Sequence, residues 1–317
     1  MVAKIFIDGE AGTTGLQIRE RLAGRRDLEV MSIAQDKRKD QDERKRLLNA
    51  ADIAILCLPD DAAKESVRLI ENDTTRVIDA STAHRVAEGW AYGFAEMDSG
   101  QTEEIAKARY VANPGCWPQG LIAAARPLVE ARLLPGDYPL SYHGISGYSG
   151  GGRQMIEEYE APGMVASQYM PYALTFLHKH LPEMQTYGKL NRPPLFEPVV
   201  GNFAQGMTTS LPLHLDMVAD IPTGKELHAA LSDFYAAIQQ SFVKVAPYDP
   251  TLGKSAALDP QAHNGTNTLT LHVFANDETN QAVIAAVYDN LGKGASGAAV
   301  QNLNIMLGVD ARESLEG

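Results

Sequence analysis

A two-part α/β protein follows from three features of the chain. A strand runs through a glycine turn into a helix at the start, β-α alternation continues to about residue 116, and that alternation is lost afterwards. The first part reads as a doubly wound, Rossmann-like parallel sheet. The second reads as an α+β catalytic domain with a mainly antiparallel sheet. A length of 317 residues is long for one compact domain, and an apolar content of 44% is enough for two cores.

The first strand is Val2 to Ile7. It enters Asp8-Gly9-Glu10-Ala11-Gly12-Thr13-Thr14-Gly15, and then Leu16 to Leu22 has helical apolar spacing. Strand, glycine turn and helix together are the context that a dinucleotide fingerprint requires, with the pyrophosphate on the helix N-terminus. The spacing is G-x-x-G-x-x-G, with Ala11 where the commoner form has its middle glycine; a glycine turn without ligand is the alternative. Gly9, Gly12, Thr13, Thr14 and Gly15 are therefore the candidate cofactor cradle.

Leu28 to Ile33 is the second strand, and its tip is Ala34-Gln35-Asp36-Lys37-Arg38-Lys39. An acid at this place suits the ribose hydroxyls of NAD, and basic residues suit the 2′-phosphate of NADP. Asp36 points one way, Lys37, Arg38 and Lys39 the other, and the balance favours NADP, with Lys37 and Arg38 as the candidate contacts; a solvated loop is the alternative. Asp42 to Ala50 follows as a helix. Asp52 to Pro59 is a near-continuous apolar run, the mark of a buried parallel strand, and Cys57 within it reads as a core residue. A helix from Asp60 to Asn72 leads to the strand Arg76 to Asp79, whose carboxyl end carries Ala80-Ser81-Thr82-Ala83-His84-Arg85. Polar residues at that end of a parallel strand face the ligand crevice.

Next comes Asn113-Pro114-Gly115-Cys116-Trp117-Pro118-Gln119-Gly120, between an apolar strand end and a helix beginning near Leu121. A cysteine at a helix N-terminus meets the positive end of the helix dipole, which favours the thiolate. Cys116 is the candidate nucleophile.

Beyond it, a strand is expected from Tyr138 to Gly144. The glycine-rich Ser146-Gly147-Tyr148-Ser149-Gly150-Gly151-Gly152-Arg153 follows as a loop, then a helix to Glu160. Such a loop with Arg153 can hold a phosphate or carboxylate; a flexible connector is the alternative. His178-Lys179-His180-Leu181-Pro182-Glu183 offers an acid/base partner for a thiol, with His180 at an element's edge because Pro182 restricts Leu181. His178 and His143 compete with it. No further ligands stand at zinc-like spacing, so no metal is expected. Asn202 to Pro212, Thr268 to Asn276 and Gln281 to Asp289 read as antiparallel strands. Gly224 to Ser241 reads as a helix, Ala298 to Leu307 as the last helix, and residues 312–317 as a frayed end.

A net charge of −12 argues against nucleic-acid and anionic-membrane partners but leaves room for a small anionic substrate. Two cysteines make no disulfide framework, no signal peptide precedes the first strand, and no apolar run reaches membrane-spanning length. A soluble, cytoplasmic protein is the expectation.

From end to end the chain resembles the N-acetyl-γ-glutamyl-phosphate reductases in their shorter, type 2 form. The matching stretches are Gly9 to Gly15; Ile78-Asp79-Ala80-Ser81 with Arg85; Tyr92-Gly93-Phe94-Ala95-Glu96; Asn113-Pro114-Gly115-Cys116; Ser146 to Arg153; His180-Leu181-Pro182-Glu183; and Asp289-Asn290-Leu291 through Gln301-Asn302. Trp117 stands where the family mostly has a smaller aromatic, and Gln119 where it mostly has threonine. The resemblance implies an NADP-dependent phosphorylating aldehyde dehydrogenase of arginine biosynthesis. Its substrates would be a small acyl phosphate and, in reverse, inorganic phosphate. Residues 1–116 would bind NADP, completed by the C-terminal helix in 291–317. Residues 117–290 would form the catalytic and oligomerisation domain of a homodimer or homotetramer. Cys116 would carry a thioester, with His180 as its proton shuttle. Ser81, Asn290 and Lys293 would lie near the cofactor, and Arg85, Asn113, Gly147, Arg153 and Glu183 near substrate or phosphate. Aspartate-semialdehyde dehydrogenase shares this chemistry and is the alternative among enzymes; a non-catalytic nucleotide-binding regulator is the alternative outside them.

Overall fold

The computed structural model describes residues 2–163, 166–251 and 258–317. The chain divides into two compact units: Met1–Ala95, Gly100–Gly115 and Ala295–Glu316 form the first, and Glu96–Ser99, Cys116–Gly294 and Gly317 the second.

The first unit is built on strands β1 (Ala3–Asp8), β2 (Leu28–Met31), β3 (Ile53–Leu56), β4 (Arg76–Asp79), β5 (Ala91–Tyr92) and β6 (Tyr110–Ala112). All are paired in parallel, in the order β2-β1-β3-β4-β6-β5. Successive side chains of a strand face opposite ways, and here both faces are apolar. Ile5, Ile7, Ile53, Ile55 and Ile78 join one buried cluster with Ile18, Leu22, Ile105, Val300 and Leu303. Phe6, Ala54, Leu56 and Val77 join another with Leu47, Leu48 and Ala63. The sheet is thus covered on one side by α1 (Thr13–Leu22), α4 (Gln101–Lys107) and the last helix, Gly297–Leu307. On the other side lie α2 (Gln41–Ala50) and α3 (Asp60–Leu69). The last helix is buried from Gly297 to Met306 and stops at Gly308, whose φ of +72° is the left-handed cap that glycine supplies without strain.

The second unit holds α5 (Cys116–Glu130), α6 (Gly152–Glu160), α7 (Leu181–Tyr187) and α8 (Gly224–Ala236), which makes the last helix α9. Its strands are β7 (Ser141–Gly147), β8 (Tyr169–Pro171), β9 (Leu195–Gly201), β10 (Met207–His214), β11 (Val243–Val245), β12 (Leu269–Asn276) and β13 (Gln281–Tyr288), in the order β11-β12-β13-β10-β7-β9-β8. The pairs β7–β10, β10–β13, β12–β13 and β8–β9 are antiparallel, while β11–β12 and β7–β9 are parallel. Helix α5 is buried from Trp117 to Leu128, mostly apolar with Gln119 and Arg126 the polar residues of that run, the composition of a helix with little solvent face.

Several expectations need correction. The strand expected at Tyr138–Gly144 runs three residues later, and Ser146 and Gly147 lie inside it. A Cβ on Gly147 would sit 2.6 Å from the Ala204 carbonyl oxygen, so that glycine serves a close strand-to-loop approach. Residues 148–151 form a 3-10 turn that feeds α6, where an open loop was expected. β9 was not foreseen, because Pro198 hides its pattern, and β10 starts five residues later than Asn202. The expected fray at 312–317 is held down: the Asn304 side chain donates to the carbonyls of Ala311 and Glu313, and Leu315 packs on the core.

Candidate active site

The glycine turn after β1 is tight for two reasons. Gly9 has φ of +94°, and a Cβ there would lie 2.3 Å from the Cys57 carbonyl oxygen; a Cβ on Gly15 would lie 2.6 Å from the Gly9 carbonyl oxygen. Gly12 caps α1 without a side-chain bond, and the first intrahelical bond is Leu16 N–H to Gly12 O. The N–H groups of Thr13, Thr14 and Gly15 precede that bond, so they have no acceptor within the helix and suit an anion. Glu10 in the same turn is buried and accepts from Arg19 Nη1 at 2.5 Å, with Arg38 Nη2 at 3.5 Å. Asp36 and Lys37 lie on an exposed 3-10 turn, Gln35–Lys37.

At the end of β4, Asp79 is fully buried. One oxygen accepts from Ser81 N–H at 2.9 Å; the other meets Ser81 Oγ at 2.7 Å and His84 Nδ1 at 2.6 Å. His84 stacks on Trp90 with ring centres 4.1 Å apart. Arg85, expected at the substrate, is buried and donates to the carbonyls of Asn113 and Ala80. Asn113 donates to the Ala295 carbonyl at 3.0 Å and accepts from Asn302 at 3.0 Å. Both side chains brace the turn before Cys116; a ligand contact by either would compete with those bonds.

Cys116 is the first residue of α5, half-buried, with the N-terminal N–H groups of that helix beside it. Two tyrosines anchor the first residues of the helix from the sheet. Tyr288 donates to the Cys116 carbonyl and Tyr142 to the Trp117 carbonyl, each at 2.8 Å. Burial pushes both phenols up, and the charge that the Cys116 thiol can take adds to this. Their hydroxyls and Thr209 Oγ1 converge on Gly120, where any Cβ would lie 2.7 Å from all three. Sequence reasoning missed this collar; its only trace was a tyrosine beside each of two noted residues, His143 and Asp289.

The histidines separate. His143 is exposed on β7. His178 accepts the His180 backbone N–H at its Nδ1, 3.1 Å away, so that nitrogen carries no proton. His180 is buried and caps α7. A chain of contacts joins it to the nucleophile's neighbour. Trp117 Nε1 donates to Tyr172 OH at 3.0 Å, Tyr172 meets His178 edge-on at 5.7 Å, and His178 meets His180 at 4.6 Å. Glu183 is buried on the first turn of α7.

The segment after β13 carries Asn290 and Lys293, both expected near the cofactor. Lys293 is fully buried, with Nζ 2.6 Å from the equally buried Glu96. Desolvation lowers its ammonium pKa, opposed by Glu96. Asn290 donates to Ser149 and accepts from Gly206 N–H at 2.7 Å. These side chains bond to partners within their own unit. They hold a π-helical turn, Gly292–Ser296, in which a Cβ on Gly294 would lie 2.9 Å from the Cys116 Cβ. Gln119 Nε2 donates to the Lys293 carbonyl at 2.7 Å. Arg153 lies exposed on the first turn of α6 and pairs with Glu157 at 2.7 Å. Among the described residues no acidic, histidine or cysteine cluster could hold a metal ion, and no helix is long and apolar enough to cross a membrane.

Residues 4–108 match the family model "Semialdehyde dehydrogenase, NAD binding domain", and residues 116–290 match "Semialdehyde dehydrogenase, dimerisation domain". The chain is 64% identical to the N-acetyl-gamma-glutamyl-phosphate reductase of a Chelativorans species, over 97% of this chain and 99% of that protein. It is 63% identical to the one from Mesorhizobium japonicum, over 98% of this chain and 100% of that protein. Among solved structures, aspartate semialdehyde dehydrogenase II from Vibrio cholerae superposes with a TM-score of 0.72 at 14% identity, over 97% of this chain and 99% of the other. Aspartate semialdehyde dehydrogenase with NADP from Candida albicans superposes with a TM-score of 0.67 at 11% identity, over 96% and 99%. At such identities these two speak for the fold alone.

Proposed function

The chain belongs to the N-acetyl-gamma-glutamyl-phosphate reductases, built on the semialdehyde dehydrogenase architecture, and from that premise we infer its reaction. It reduces N-acetyl-L-glutamyl 5-phosphate to N-acetyl-L-glutamate 5-semialdehyde with NADPH and releases phosphate, a step of arginine biosynthesis. The observation that carries the mechanism is the seat of Cys116 at the start of a buried helix, its carbonyl anchored by Tyr288.

Cys116 attacks the acyl carbon as thiolate, a form that the helix N-terminus favours. The N–H groups of the first turn of α5 are aimed where the oxyanion develops; Pro118 contributes none. Phosphate departs, and Cys116 holds the acyl group as a thioester. His180 takes the thiol proton and keeps it beside the reacting carbonyl. The uncapped N-terminus of α1 and the tight glycine turn fit the pyrophosphate of NADP, with Gly9, Gly12, Thr13, Thr14 and Gly15 around it and Lys37 and Arg38 for the 2′-phosphate. Bound NADPH supplies the hydride that reduces the thioester. Arg153 and Glu183 are the side chains assigned to the substrate, Arg153 through an exposed guanidinium suited to a phosphate. The family description of residues 116–290 supports a homodimer or homotetramer, and free cysteines suit the cytoplasm.

The test runs the reaction backwards. N-acetylglutamate semialdehyde with NADP and phosphate should give NADPH steadily. Without phosphate, stopped flow should show a burst of about one equivalent per site and then a stall. Arsenate should restore turnover. Aspartate semialdehyde should be poor, because its ammonium would be desolvated without a partner. Steady turnover without phosphate, or a preference for aspartate semialdehyde, would overturn the assignment.

A further inference from the structure

One carboxylate in the first unit stands where a negative charge is least expected. Glu10 lies inside the glycine turn that is to receive the anionic cofactor, and its side chain is only 6% exposed. A buried carboxylate persists only with charged or hydrogen-bonding partners. Glu10 has two, and they differ. Arg19, from α1, holds it at 2.5 Å; Arg38, just beyond the tip of β2, reaches back to its other oxygen at 3.5 Å, the outer limit of a hydrogen bond. Both guanidiniums keep an open side, 49% and 40% exposed. β2 runs parallel to β1 and next to it, so the tip that reads the adenosine ribose adjoins the turn that reads the pyrophosphate.

We propose that Glu10 is an internal stand-in for the 2′-phosphate of NADP, from which Arg38 transfers to the cofactor while Arg19 keeps Glu10 paired. This rests on the NADP reading above. The arithmetic of charge makes the exchange workable. Before binding, one carboxylate shares two guanidiniums. After binding, each anion has one of the two guanidiniums, with Lys37 beside the 2′-phosphate, and no buried carboxylate is left alone. The long bond is the one that breaks. Arg19 acts at a distance: it never touches the cofactor, yet it sets how readily Arg38 is released. Glu10 and Arg19 are therefore positioning residues for cofactor choice, and Arg38 is the ligand.

The exchange predicts an unusual rescue. The full-length chain is titrated calorimetrically with NADP+ and NAD+, and with adenosine 2′,5′-bisphosphate and 5′-AMP, which differ only in the 2′-phosphate. Arg38→Ala should weaken adenosine 2′,5′-bisphosphate by about 10–100-fold and 5′-AMP by less than about twofold, the loss of one charge-assisted bond. Arg19→Ala should weaken the bisphosphate by about 3–10-fold, because Glu10 then retains Arg38. Glu10→Gln should bind the bisphosphate as tightly as the unmodified chain or tighter. The double variant Arg19→Ala with Glu10→Gln should return to within about twofold of Glu10→Gln alone, since no carboxylate then competes. Thermal melts of each variant confirm folding. A double variant as weak as Arg19→Ala would make Arg19 a direct ligand and overturn the exchange, as would an unaffected Arg19→Ala. Equal losses of bisphosphate and 5′-AMP in Arg38→Ala would remove Arg38 from the 2′-phosphate. Tighter binding of NAD+ than NADP+ by the unmodified chain would instead overturn the NADP reading itself.

Discussion

Cys57 and Cys116 each stand beyond the end of a parallel strand, and they sit in opposite surroundings. Cys57 follows β3. Its N–H donates to the Asp8 carbonyl at 2.8 Å and its side chain packs on the core. Burial, then the carboxylates of Asp79 and Asp8, push its thiol up to about 12. Cys116 follows β6 after a short turn and opens α5, at the positive end of the helix dipole. A strand end alone therefore does not make a cysteine reactive. What surrounds the sulfur differs: burial beside two carboxylates at one turn, the N-terminus of a helix at the other.

The largest break of this comparison is Cys116→Ala. Turnover should fall by several orders of magnitude, because the covalent route is lost, while calorimetric NADP+ binding stays within about twofold. Near-normal turnover would show that the thioester is carried elsewhere. Gly294→Ala sharpens the comparison without touching the sulfur. The added methyl would lie 2.9 Å from the Cys116 Cβ and 3.1 Å from the Asp289 carbonyl oxygen, so the nucleophile must move. We expect kcat to drop by about 10–100-fold with KM little changed, the cost of misplacing a reacting atom. An unchanged kcat would mean that the turn yields instead of the cysteine.

The smallest effect belongs to Cys57→Ala. Activity should persist, with about 1 kcal/mol of stability lost to packing. Its pH signature is specific. Below pH 9 the thiol is protonated in folded and unfolded chains alike. Above it the unfolded chain releases the proton and the folded chain keeps it, up to about pH 12. Stability therefore falls as pH rises through that window, by at most about 1.4 kcal/mol per unit for one group. The buried Tyr142, Tyr235 and Tyr288 and the half-buried Tyr172 are raised as well and join above pH 10. The lowered Lys293 is common to both chains, so the difference between variant and unmodified chain over pH 9 to 10 isolates the cysteine. Urea unfolding across that interval should show a shallower fall for Cys57→Ala than for the unmodified chain. Equal slopes would mean that the thiol is not held protonated.

The first unit was legible because a parallel sheet covered on both faces writes itself as apolar runs, and a glycine turn marks where the first helix starts. The turn before Cys116 was legible for the same local reason, although the helix after it was expected near Leu121 and starts at Cys116 itself. The second unit was harder. β9 carries Pro198, β8 spans only Tyr169–Pro171, and Ser146-Gly147 reads as loop because its glycine answers to Ala204, a neighbour distant in sequence. Lys293 and Arg85 were placed near ligands by the family resemblance, and the sequence held no sign of their protein partners. Only the fold reveals Glu96 beneath one and the Asn113 carbonyl beside the other. The Tyr288 and Tyr142 bonds to α5 join residues 172 and 25 positions apart, a relation that spacing does not encode.

Helix α9 has a consequence for the order in which the molecule is made. Its Ala299, Val300, Leu303, Ile305 and Met306 fill the same cluster as Ile5, Ile7, Ile53 and Ile78. During vectorial synthesis the strands of the first unit emerge early, with α1 and α4, yet the part of one sheet face that α9 covers stays open until α9 leaves the ribosome. The whole second unit is translated in the interval. The nascent sheet must wait with part of an apolar face open to water, the kind of surface that chaperones recognise and that aggregates when they are scarce.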